Sequence, residues 1–183
     1  MEGAFEMRKQ ILKMQEGESF PFCWVKFDSD SGIDAQGHKI EIYIKKDSVS
    51  IDDMKSLFCD LFGAVVDELS IFSPSWWDFC IDTWNIQENT LCYDPQFLSK
   101  ETASYLHILQ ESNIAKGYSG CCVCNDWDAY LSVALDCIMK GIAPYGNFIY
   151  NSKEQFFFYF HHTGSIGPVS YTHLRAHETS QDL

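Results

Sequence analysis

The apolar positions of the chain follow two kinds of pattern, one of helical and one of strand period. From Ile51 onward, Met54, Leu57, Phe58, Leu61, Phe62 and Val65 recur every three or four residues, the spacing of a helix with one buried face. Ser50 and Asp53 precede and open it as a capping box, in which each side chain satisfies the other's backbone N–H. The same spacing predicts a helix opened by Ser73-Pro74 and carrying Trp77, Cys80, Ile81 and Trp84, and another capped by Ser99 with Tyr105, Leu106 and Leu109 on one side. A further helix, capped by Asn125 or Asp126, carries Trp127, Tyr130, Leu131, Ala134, Leu135 and Ile138 and stops at Gly141. Near the start, Phe5, Ile11, Leu12 and Met14 among charges predict a short helix over residues 3–15, ended near Gly17.

Strand period appears between these segments. His38 to Lys46 alternates Ile40, Ile42 and Ile44 with Lys39, Glu41 and Lys45, and with Phe20 to Phe27 it reads as an antiparallel hairpin across the polar stretch Asp28 to Gly32. Gly146 to Tyr150 and Glu154 to His162 read as a closing hairpin around Asn151-Ser152-Lys153. Phe156 to Phe160 puts aromatic rings on both faces, which suits an interior strand covered by helices on at least one side. Left at an edge, that strand would invite aggregation. No repeat or linker divides the chain, so the expectation is one α+β domain over residues 1–167, a mainly antiparallel sheet packed with about four to five helices.

Composition narrows the possible partners. With 26 acidic against 13 basic side chains among 183 residues, the formal charge is -13. Direct attraction to nucleic acid phosphates or anionic lipid is thereby disfavoured, and a basic partner fits better. The first ten residues carry charges where a secretory leader would need an apolar run, and no apolar run approaches the roughly 20 residues of a bilayer-spanning helix. The expected location is therefore cytoplasmic, away from membranes. The eight cysteines then read as reduced and mostly buried thiols, with Cys59 and Cys80 at apolar helical positions. Pro168 to Thr179 resembles a translated sequencing adapter, so residues 168–183 are set aside as a non-native tail together with the i, i+4 pair His173 and His177.

Several residue groups imitate chemistry. Cys121-Cys122-Val123-Cys124 contains a C-x-x-C before a helix, yet no second such pair or matching histidine pair completes a zinc site. Asp126 and Asp128 beside it would raise a thiol pKa, so a packed turn of inert thiols is expected, with no metal or cofactor. Asp28 to Asp34 imitates a calcium loop but places Ile33 where glycine is needed and Lys39 where a bidentate glutamate is needed. Asp78 and Asp82, spaced i, i+4, read as an acidic helix face with Trp76 at its border, though Trp76 fits the core equally well, and Asp126 and Asp128 add charge elsewhere. Such a surface suits a basic protein, because aromatic anchors in an acidic field combine desolvated contact with fast encounter. The alternative is a small enzyme of unspecified reaction built on Cys124 with His161 or His162.

Residues 121–167 carry a family resemblance. The runs Cys124 to Leu131, Gly141 to Asn147 and Phe157 to Gly167 are similar to small bacterial proteins of the immunity kind, which sit beside polymorphic toxin genes and neutralise a cognate toxin by binding it. That resemblance implies a protein partner, a toxin domain, and the acidity suggests that it is a basic nuclease. It carries over no site residue.

Overall fold

The computed structural model describes residues 10–28, 32–35, 38–143 and 146–170. Strands β1 (Leu12–Met14), β2 (Val25–Asp28), β3 (Gly32–Ala35), β4 (His38–Lys39) and β5 (Ile42–Tyr43) precede helix α1 (Ile51–Phe62). Strands β6 (Ser70–Ser73), β7 (Trp84–Asn85) and β8 (Thr90–Leu91) lead to α2 (Lys100–Glu111), and β9 (Gly120–Cys124) leads to α3 (Trp127–Met139). Strands β10 (Phe148–Asn151), β11 (Phe156–His161) and β12 (Ser165–Ser170) complete the described chain. One antiparallel sheet runs in the order β1-β9-β6-β10-β11-β12-β4, with β5 also on β12. The fold is α+β with a large antiparallel sheet, and the described residues contain three α-helices rather than four to five.

The three helices begin where their caps are written. Ser50 and Asp53 form the reciprocal capping box of α1, Ser99 accepts from the Thr102 N–H at α2, and Asp126 accepts from the Ala129 N–H at α3. Between the two candidates for that last cap, Asp126 holds the position. Gly141, at a φ of 71°, turns the chain after α3 in a conformation that strains residues with a Cβ.

All three helices cover one face of the sheet. Met54, Phe58, Phe62, Leu109, Leu135 and Ile138 pack there against Ile71, Cys122, Ile149, Phe158 and Ile166. Phe62 stacks on Phe158 at 3.8 Å between centroids, and burying each such ring stabilises the fold by about 1.5–3 kcal/mol over leaving it in water. The opposite face displays Phe72, Cys121, Phe148, Tyr150 and Phe157, and is covered by the loop residues Phe20, Phe22 and Trp24 with Val25 of β2. The aromatic run of β11 thus lies in the interior, between β10 and β12, with its two sets of rings serving two cores.

Four expectations are corrected. Leu12–Met14 is a strand on β9 instead of part of a helix, with Gln15 donating to the Cys121 carbonyl; residues 1–9 lie outside the described residues. Apolar residues three or four apart in so short a window fit either state, and here the open edge of β9 supplies the partner. The first hairpin joins β2 to β3, its nearest downstream neighbour, while β4 and β5 pair with β12, more than 120 positions on. Cys121 to Cys124 is strand β9 instead of a turn. Finally, no α-helix follows Ser73-Pro74; only a 3-10 turn forms at Ile81–Thr83.

The closing hairpin forms as the pattern predicts, with the Asn151 side chain accepting from the N–H groups of Lys153 and Glu154. β12 continues through Pro168, Val169 and Ser170, so three residues of the segment set aside as a tail stand in the sheet, Val169 in the core; residues 171–183 lie outside the described residues. Pro168 accepts a hydrogen bond from the Ile40 N–H at 3.1 Å but has no N–H to return. The missing donor explains why β4 and β5 are two short strands on one continuous register.

Candidate functional site

The segment between β6 and α2 departs most from helical expectation and carries five of the eight exposed large hydrophobics among the described residues. Trp76 and Trp77 turn inward here. Trp76 is 0% exposed and donates its indole N–H to the Gly120 carbonyl at 2.9 Å, while Trp77 donates to the Ile114 carbonyl at 3.1 Å. Two adjacent indoles, each needing a different acceptor, hold the backbone out of a helix. Trp76 is therefore a core residue and presents no surface to a partner, which corrects its place at the border of an acidic face.

The four aspartates separate in the same way. Asp82 accepts from the Ser99 N–H at 2.8 Å and from the Thr102 hydroxyl at 2.6 Å, so it reinforces the start of α2. Asp126 caps α3, and Asp128 is ion-paired with Lys55. Ile81 donates its N–H to the Ile142 carbonyl, just beyond the C-terminal end of α3, whereas Asp126 and Asp128 stand at its N-terminal end. Thirteen helical residues span about 20 Å, so the two acidic pairs do not form one patch.

Asp78 is different. It is exposed, it accepts from the Thr83 hydroxyl at 3.4 Å, and it borders an open concavity of about 430 Å³ lined by Phe79, Ile81, Trp84 and Ile86. Partial burial against those apolar walls pushes its carboxyl above the usual range. Ile81 and Ile86 are 60% and 85% exposed, Trp84 is 42% exposed, and Leu91 faces Trp84 across the β7–β8 hairpin. Asn85 shapes the hairpin tip by accepting from the Gln87 and Glu88 N–H groups. Phe97, 72% exposed, follows as the chain returns to α2. Between Lys55 and Lys100 the chain holds seven carboxylates and no Lys or Arg.

Sequence reasoning missed Ile86 and Phe97, and placed Ile81 and Trp84 on a buried stripe. The available signal was the absence of cations over this long stretch, together with isolated apolar residues among Asn, Gln, Glu and Thr.

The Cys/His constellation is not assembled. Cys122, Ile71, Ile149 and Phe158 are aligned across four strands, which puts Cys124 level with Phe156, at the far end of β11 from His161. Three strands and five positions separate the two groups by on the order of 20 Å. Burial pushes the Cys122 and Cys124 thiols up to about 12, and raises that of Cys121 as well. These are poor nucleophiles. His161 shares a hydrogen bond with the Thr163 hydroxyl at 2.9 Å and stacks beside the exposed His162; desolvation, then the His162 charge, lowers its pKa. Among the described residues no group of three or more His, Cys, Asp or Glu could hold a metal ion, and no helix is long and apolar enough to cross a membrane.

No family model matches the chain, and no curated protein or solved structure is similar to it.

Proposed function

We propose that this chain is a cytoplasmic immunity-type protein that binds a basic toxin domain and covers its working surface, docking through the concavity and hairpin between Asp78 and Leu91. The observation that carries this reading is the exposed set Ile81, Trp84 and Ile86 around one concavity, inside a stretch with no cation. Exposed aromatic and aliphatic anchors within a field of one sign supply desolvated contact at the centre of an interface, and the field draws an oppositely charged partner to it. A nuclease domain fits because its phosphate-binding groove is basic. Neutralisation here is occlusion and requires no bond-making step.

Co-expression with the toxin domain encoded beside the gene tests the proposal. The wild-type chain should restore growth, and a Trp84→Ala, Ile86→Ala double variant should lose rescue while remaining folded, since Ile86 is largely in water and Trp84 belongs to a two-stranded hairpin outside the main sheet. A Cys124→Ala, His161→Ala variant should rescue as well as the wild type. Rescue that survives the first change and fails with the second would transfer the function to an enzyme.

A further inference from the structure

Resting on that docking surface, we propose that the concavity bounded by Asp78, Phe79, Ile81, Trp84 and Ile86 is a receptor for one arginine side chain of the partner. The walls are apolar and the rim carries a single carboxylate, the arrangement that suits a long aliphatic stem ending in a cation. A volume of about 430 Å³ is within the range of small-ligand sites.

Asp78 is distinguished by lining the apolar concavity, whereas carboxylates elsewhere on the chain serve the fold. Asp53, Glu68, Glu101, Asp128 and Asp136 each stand in an ion pair with a lysine, and Asp82 and Asp126 accept from backbone N–H groups at helix starts. Asp78 forms no ion pair among the described residues; the Thr83 hydroxyl at 3.4 Å is a weak partner. Lys116 lies over the rings of Tyr93 and of Trp77, the residue before Asp78, at 5.1 and 5.5 Å from their centroids. The desolvation that disfavours the Asp78 carboxylate is offset by the opposite charge when a guanidinium enters.

The floor is rigid. Phe79 stacks on Tyr105 at 4.4 Å, and Tyr105 and Tyr130 both accept from the buried Asn147 amide. Arginine is the better occupant than lysine, because its flat guanidinium can lie against the Trp84 indole while donating two hydrogen bonds to one carboxylate.

An NMR titration with N-acetyl-arginine amide tests this on the intact chain, with the neutral citrulline analogue as the control of equal shape. The expected result is a saturable shift of the Trp84 indole signal with a dissociation constant on the order of millimolar. Citrulline should bind about tenfold more weakly, and Asp78→Asn should lose about tenfold for arginine alone. Equal binding of the two amides to the wild type, or an arginine response unchanged in Asp78→Asn, would overturn the site. The docking reading fails separately: arginine amide binding at Asp78 together with rescue indifferent to Trp84→Ala, Ile86→Ala keeps the receptor and discards the toxin surface.

Discussion

Asp82 shows how one side chain can take a structural role that its spacing does not announce. Its carboxylate accepts from a backbone N–H and a hydroxyl at the start of α2, joining the segment after β6 to the helix it precedes. Asp82→Ala should destabilise the fold by about 1–2 kcal/mol, read as a lower denaturant midpoint at unchanged slope. Asp78→Asn should leave that midpoint nearly unmoved. The cysteines divide as sharply. Cys23 and Cys59 are exposed and Cys92 is half-buried, whereas Cys80, Cys121, Cys122, Cys124 and Cys137 are buried. A maleimide should therefore label Cys23 and Cys59 in the native protein within minutes, and the five buried thiols only on unfolding, as counted by mass spectrometry; rapid native labelling of Cys124 would contradict the burial that raises its pKa. Cys59, expected at an apolar helical position, is instead exposed on α1, and Cys80 is buried outside any α-helix; the burial of most other thiols was legible in the sequence. The burial of Trp76 was not, because an aromatic beside carboxylates looks alike whether its indole finds a carbonyl inside the fold or water outside.

At the scale of elements, legibility followed locality. α1, α2, α3 and the β10–β11 hairpin carry their caps, period and turn residues within a single stretch of chain, and each forms within a few positions of where the pattern puts it. β1 was read as helix, and β4 and β5, rightly read as strand, were given the wrong neighbour, because their partners lie more than 100 positions away and no local pattern names a distant partner. The segment from Trp77 to Trp84 has true helical spacing, but two indole hydrogen bonds, one to the start of β9 and one to the chain after α2, outweigh it. The capping box of α1 also sets a pH dependence. Lys46, then the backbone and hydroxyl of Ser50, hold the Asp53 carboxyl down to about 2 from an ordinary 3.8. A depressed folded pKa means that the contribution is whole above the unfolded value and is lost as pH falls through the folded one. Amide exchange in the first turn of α1 should accelerate between about pH 4 and pH 2, and Asp53→Asn should remove that step.

For the molecule as a whole, charge governs encounter. With a net charge of -13, association with a basic toxin domain should slow steeply as sodium chloride is raised, while dissociation, set by the apolar contacts of the hairpin, should change little. Stopped-flow association rates measured across salt concentrations check this, and a rate indifferent to salt would exclude electrostatic steering. The sheet order carries a separate consequence for how the chain is made. β1 waits for β9, and β4 and β5 wait for β12, whose last residue is Ser170. At a synthesis rate of about 5–20 residues per second, the interval between emergence of Tyr43 and of its partner strand is on the order of ten seconds. Through that interval a ribosome-held nascent chain displays unmatched early strands, and β12, the last of the described strands to leave the exit tunnel, is the one that takes β4 and β5 into the sheet.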